Sequence, residues 1–304
     1  MRVVSLLASG TELMCALGEG PSLVGRSHEC NDPPWVAALP AVSAPTFAVD
    51  GSSAEIDRLV REKLQAGEPL YRIDRARLVD LRPDLVITQT HCDVCAVGPG
   101  AVSDAHTWPG LEGLRTVSMR GGSLDGILRD FLTVAAAAGV DEAGRTLVAS
   151  LNQERARWRE ATKALPRPTV VCLEWTEPPF PMGNWGPELV ETAGGRPLLG
   201  NPNAHSSAVP WQAVRDADPD VLIIAPCGFD LHRALEDARA LPARPGWGDL
   251  AAVRAGRVFV SDGDRYFNRS GPTVFQTIEV LAEMIHPDVF PPRHRGTVYR
   301  RWAA

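Results

Sequence analysis

Apolar positions in this chain fall into two rhythms: short continuous runs, and steps of three and four. RVVSLL (2–7), SLVGRS (22–27), PDLVITQ (83–89) and TVSM (116–119) are bounded apolar runs of strand length. PTVVCLEW (168–175), VLIIAP (221–226) and RVFV (257–260) repeat the type in the second half. Helical steps appear between them. ASGTELMCALG (8–18) predicts a helix capped by Ser9 or Thr11 and ended by Gly18. Residues 53–65 predict another, with Ile56, Leu59, Val60 and Leu64 on its inner face. DRARLVDL (74–81), residues 123–140 with Ser123 as cap, 186–195, and 273–287 follow the same rule.

One helical stretch is longer than the others. Residues 141–165 place Leu147, Leu151, Trp158, Ala161 and Leu165 on one stripe, with Glu154, Arg155, Arg157, Arg159 and Glu160 opposite. Pro166 and Pro168 stop it. At 1.5 Å per residue, about 25 residues span roughly 37 Å. The chain on either side is alike. LRPDLVITQTHCDV before this helix is echoed by ADPDVLIIAPCGFD after it, TELMCALG by PELVETAGG, and LEGLRTVSM by LAAVRAGRVFV. Paired echoes in one order predict two similar α/β lobes joined by a strut: 1–140, 141–165 and 166–304. Each lobe alternates strand and helix, so its sheet is expected to be parallel and Rossmann-like, with ligands at the strands' carboxyl ends.

Bulk composition narrows the function. The 304 residues suit two domains, and 44% hydrophobic content supports a packed core. A net charge of −6, from 31 basic and 37 acidic residues, removes nucleic acid as a main partner. The locally basic PPRHRGTVYRRW (291–302) reads as a solvated tail. No apolar run is long enough to span a bilayer, and Met1-Arg2 leads into a segment too short for a signal peptide. The sequence as it stands therefore predicts a cytoplasmic protein, or a periplasmic or extracellular one if a leader has been removed.

Candidate chemistry gathers on the loops. G-x-G-x-x-G and the Gly-Lys-Ser/Thr phosphate loop are absent, which removes most nucleotide enzymes. HECNDPP offers His28, Glu29, Cys30 and Asp32 within five positions, and HCDVC offers His91, Cys92 and Cys95. These are metal-ligand chemistries, but a structural zinc ribbon needs a second close pair that the sequence lacks. The six cysteines do not form a secreted disulfide pattern. Cys227, ahead of Gly228-Phe229, suits a helix start where a thiol becomes reactive. Aromatics crowd the second-half loops: Trp175, Phe180, Trp185, Phe229, Tyr266 and Phe267. Such side chains line sites for large flat ligands.

SLLASGTELMCALG, LVGRSHECNDPP, TQTHCDVCAV, LEW, PELVETAGG, ADPDVLIIAPCGFDL and DGDRYFNRSGP together resemble the cobalamin-type substrate-binding proteins of ABC importers. This helical-backbone class also includes siderophore and haem binders. The resemblance covers nearly the whole chain. It implies a rigid connecting helix and a ligand held in a cleft between two Rossmann-like lobes. The implied ligand is cobalamin or a related corrinoid, a small-molecule metal chelate, with no permanently bound cofactor and no catalysis. The expected contacts are His28, Glu29, Cys30, His91, Cys92, Cys95, Trp175, Trp185, Phe229, Tyr266 and Phe267. His28 and His91 are candidate axial metal ligands, since neutral imidazole suits such ions. The partner implied is an ABC permease, and the protein itself is expected to be a monomer that does not span the membrane. Two readings stand beside this one: a cytosolic metal-binding protein, and a thiol-dependent enzyme using the His/Cys loops.

Overall fold

A computed structural model of the protein describes residues 1–90 and 97–302. The chain is α/β with parallel sheets, and its contacts divide it into two compact units. Unit 1 comprises 1–50, 58–151 and 270–272, and unit 2 comprises 51–57, 152–269 and 273–304.

Unit 1 begins with β1 (Val3–Ser5), every residue of it buried. α1 (Ala8–Ala16) follows at once. Its N-cap is Leu7, in extended conformation and without a side-chain bond, so Ser9 and Thr11 lie inside the helix rather than capping it. Gly18, at φ +81, ends it as expected, in a conformation that favours glycine. β2 (Leu23–Arg26) comes next, then β3 (Ser43–Pro45) and α2 (Ser53–Gln65), whose first five residues belong to unit 2. β3 pairs antiparallel with β4 (Tyr71–Ile73). α3 (Arg75–Leu81) starts where the Asp74 carboxylate accepts the Arg77 N–H at 3.0 Å. β5 (Leu85–Gln89), β6 (Arg115–Met119) and α4 (Leu124–Ala138) complete the run, with Ser123 capping α4 through the Gly126 N–H at 3.1 Å. The sheet order is β2-β1-β5-β6, all parallel. Val4, Leu6, Leu78 and Val86 pack with Trp108 and Leu111 into one core.

α2 departs from expectation. Ile56, Leu59 and Val60 are half-buried, and Leu64 is 52% exposed. The apolar stripe is present in sequence, but only part of it finds a covering surface. α5 (Asp141–Thr162) is the long helix, 22 residues or about 33 Å. It stops three residues before the expected end. There the Thr162 hydroxyl bonds the carbonyls of Trp158 and Thr192, at 3.0 and 3.1 Å.

Unit 2 contains β7 (Thr169–Thr176), β8 (Pro179–Pro181), α6 (Gly186–Thr192) and β9 (Arg196–Pro197). α7 (Trp211–Ala217), β10 (Val221–Ile224), α8 (Leu231–Asp237) and α9 (Ala251–Arg254) follow. β11 (Val258–Ser261), α10 (Thr277–Ile285) and β12 (Tyr299–Arg301) close the chain. β9, β7, β10 and β11 are parallel neighbours in that order. β8 and β12 pair antiparallel with β7 and β11. Val171, Leu173, Leu222, Ile224 and Val260 form the sheet's share of the core, against Trp211 and Trp247. The C-terminal segment is therefore not a solvated tail. β12 pairs Tyr299 with Ser261 and Arg301 with Phe259, and Val298 and Tyr299 are buried. Its apolar residues are spaced too sparsely to signal a strand, and the open edge of β11 supplies the pairing. Among the described residues, no helix is long and apolar enough to cross a membrane.

Candidate functional site

In an open parallel sheet, ligands collect beyond the strand carboxyl ends where the strand order reverses. In unit 2 that point lies between β7 and β10, because the chain runs outward from β7 to β9 on one side and from β10 to β11 on the other. The segments leaving these strands are tied together by backbone bonds. Cys227 N–H donates to the Glu174 carbonyl at 2.9 Å, and the Gly263 and Asp264 N–H groups both donate to the Phe229 carbonyl at 3.0 Å. A Cβ on Gly263 would lie 2.2 Å from the Pro226 carbonyl oxygen, so only glycine permits this approach. Asp262 caps the following turn through the Arg265 N–H at 2.8 Å.

The six aromatics of unit 2 separate into two sets. Phe267 is fully buried, Phe229 is 2% exposed and Trp185 is 5% exposed. Trp185 donates its indole N–H to the Phe267 carbonyl at 2.9 Å. Phe229 lies under the Arg233 guanidinium at 3.7 Å and meets Trp175 edge-on at 5.3 Å. These three shape the surface from beneath it. Trp175, Phe180 and Tyr266 remain half-exposed, with Arg265 and Cys227 beside them in that class. Trp175 and Phe180 belong to β7 and β8, where they face each other in register, rather than to a loop. Sequence reading missed Arg265, which follows the Asp262 cap, although the DGDRYF run contained it.

The base of this surface is pinned by a polar network. The Ser53 hydroxyl lies 2.6 Å from that of Thr176, the last residue of β7, and the Ser53 N–H reaches the Asp237 carboxylate at 3.0 Å. Thr176 also bonds Asp237, and Arg233 donates to the Gly51 carbonyl at 2.7 Å.

In unit 1 the strand order reverses between β1 and β5. The segment leaving β5 carries His91, Cys92 and Cys95, which lie outside the described residues. Gly10 in α1 allows close packing over β5, since a Cβ there would meet Ile87 Cγ2 and Ser5 Oγ at 2.8 Å. Beside it, the segment leaving β2 carries His28, Glu29 and Cys30. His28 Nδ1 lies 2.8 Å from the Ser43 hydroxyl, and its ring sits 5.2 Å from that of Tyr71. Its Nε2 is 3.9 Å from Glu29 Oε1. Burial, helped by the nearby Arg26 charge, lowers the imidazole pKa to about 4, so the ring is neutral at physiological pH. Neutral imidazole is the form that binds a metal. Cys30 points inward instead. It is 1% exposed, and its sulfur accepts from the Thr11 hydroxyl at 3.0 Å, with Ser27 Oγ at 3.3 Å. Cys15 and Cys172 give little support to nucleophilic chemistry. Burial pushes Cys15 up to about 11 and raises Cys172 further.

A family model described as periplasmic binding protein matches residues 3–264. The chain belongs to the periplasmic binding protein family. Its role is that of a substrate-binding protein, and members of this family bind rather than catalyse. A curated relative, an uncharacterized ABC transporter substrate-binding lipoprotein of Bacillus subtilis, is 22% identical over 298 residues, covering 95% of this chain and 81% of the relative. Among solved structures, a periplasmic heme-binding protein from Pseudomonas aeruginosa superposes with a TM-score of 0.73 at 20% identity, over 100% of this chain and 98% of that one. The periplasmic heme-binding protein RhuT from Roseiflexus reaches 0.70 at 23% identity, over 95% and 98%. The periplasmic vitamin B12 binding protein BtuF of Vibrio cholerae reaches 0.67 at 18%, over 93% and 96%. At these identities the likenesses establish the fold. They also correct one expectation. The cytoplasmic placement is overturned, because this family is periplasmic and the curated relative is a lipoprotein.

Proposed function

We propose that this periplasmic binding protein captures a corrinoid or a related metal chelate and delivers it to an ABC permease, without catalysing a reaction on it. The observation that carries the reading is His28, an imidazole held neutral on the loop leaving β2, with one nitrogen engaged by Ser43. Its Nε2 is the nitrogen offered to a cobalt or iron centre. The named ligands of the relatives, heme and vitamin B12, are planar metal chelates of that kind. In unit 1 the proposed contacts are His28 and Glu29, with His91, Cys92 and Cys95 from the stretch of sequence after β5. In unit 2 they are Trp175 and Tyr266, with Arg265 to meet ligand carboxylates or phosphate. Trp185, Phe229, Phe267 and Cys30 act from beneath as packing.

The test is the visible spectrum of the protein mixed separately with aquocobalamin, cobinamide and haemin, then desalted. Retention of one of them with a dissociation constant at or below about 1 μM, roughly −8 kcal/mol, is expected. An imidazole on the metal shifts the visible bands, and His28→Ala removes that shift. Retention with an unchanged shift in His28→Ala moves the axial role to His91. Calorimetry without heat for all three ligands sinks the ligand class and leaves the family membership intact.

A further inference from the structure

Unit 2 holds a second cluster of metal-ligating side chains that the reading above does not use. Glu279 and Glu283 stand four residues apart on α10, so their side chains share one face. His294 arrives from the segment leading into β12. One donor atom from each of the three lies within 4.8 Å of the others. His294 Nε2 is 3.8 Å from Glu279 Oε2 and 4.0 Å from Glu283 Oε1. Glu283 is buried, its side chain 1% exposed, while Glu279 and His294 are 20% and 23% exposed and leave one side open to solvent.

The surroundings favour a cation. Glu283 accepts the Arg293 N–H at 3.0 Å and the His294 N–H at 3.1 Å, and the Tyr299 hydroxyl bonds it as well. Glu154 on α5 is near enough for its charge to repel that of Glu279. Three carboxylates therefore converge. Arg157 sits 4.0 Å from Glu154, and Arg293, 72% exposed, reaches Glu279 at 3.4 Å. A flexible exposed guanidinium gives weak compensation for converging carboxylates.

We propose that Glu279, Glu283 and His294 form a binding site for a divalent first-row cation, Zn²⁺ or Mn²⁺. Two carboxylates and one imidazole match the donor preferences of these ions. Donors at about 2.1 Å from a tetrahedral ion stand roughly 3.4 Å apart, so the three side chains draw inward on binding. The ion displaces the Arg293 guanidinium from Glu279 and ties residue 294 to α10. The segment that carries β12 is thereby clamped, and the folded unit is stabilised by mass action.

The experiment is a titration of the intact protein with MnCl₂, read by the loss of free Mn²⁺ signal in electron paramagnetic resonance. Calorimetry and melting curves with ZnCl₂ run beside it. One Mn²⁺ per chain and a raised melting temperature are expected. Glu279→Gln and His294→Gln each weaken binding by about tenfold or more. Arg293→Ala tightens binding several-fold, an effect of opposite sign that loss of folding cannot imitate. Failure of both ions to bind at millimolar concentration, or binding unchanged in Glu279→Gln, His294→Gln and Arg293→Ala, overturns the proposal.

Discussion

Unit 1 builds its main sheet from four strands whose pairings are all parallel, whereas unit 2 adds antiparallel β8 and β12 beside the same parallel plan. The faces at their strand ends differ as well. That of unit 1 is ionisable, a half-buried neutral His28 held by Ser43 and Tyr71. That of unit 2 is aromatic, with Trp175 and Tyr266 half-exposed, Phe229 and Phe267 buried, and Trp175 edge-on to Phe229. The lesson is that residues of similar appearance on strand-end segments divide into half-exposed and buried ones. Burial makes the division, and burial is a property of the whole unit.

The largest expected effect tests that division. Phe267→Ala and Phe229→Ala should each destabilise the protein by about 3–5 kcal/mol in urea unfolding, because a fully buried ring leaves a cavity. Trp175→Ala should cost far less stability. Equal losses for all three would erase the distinction between buried and half-exposed rings. Trp158→Ala belongs to the same class. It is 8% exposed and packs edge-on against Phe290 at 5.3 Å, so a similar loss is expected.

The next effect concerns unit 1 and is read against pH. The His28 pKa is lowered to about 4 in the folded protein from 6.5. Its contribution is fully present above pH 6.5 and is lost as pH falls from 6.5 toward 4, by up to about 3 kcal/mol. His28→Asn should flatten that part of the stability profile. An unchanged acid limb would show that the ring is not held neutral by burial.

A smaller effect is expected on binding. Trp175→Ala should weaken the retained chelate by about 1–3 kcal/mol without altering the metal's bands, whereas His28→Ala alters the bands. Identical spectral changes in both variants would mean that the two faces do not have separate roles. The smallest effect is local: Ser123→Ala removes the α4 cap and should cost about 1 kcal/mol, with ligand binding unchanged.

Much of this molecule was legible in the sequence because helix and strand periods are local. The α2 bounds, the Ser123 cap, the apolar strands and the paired echoes are all set by neighbours a few residues apart. So was the family, through motifs spread along the chain. Local reading failed where a partner from elsewhere decided the outcome. Leu7 rather than Ser9 or Thr11 begins α1, because the chain leaves buried β1 already extended. β8 and β12 were invisible since each is short and gains its order from the edge it covers.

The sequence by itself determined an α/β chain in which strand and helix alternate in both halves, with one helix longer than the rest. Those follow from apolar periodicity and turn residues, which act over a few positions. Only the tertiary structure decided that Phe229 and Phe267 are buried, that Cys30 turns inward onto Thr11, and that His28 is neutral. It alone brought His294 to Glu279 and Glu283. Burial and the meeting of distant side chains depend on which surfaces the folded chain covers, and no spacing along the sequence encodes that.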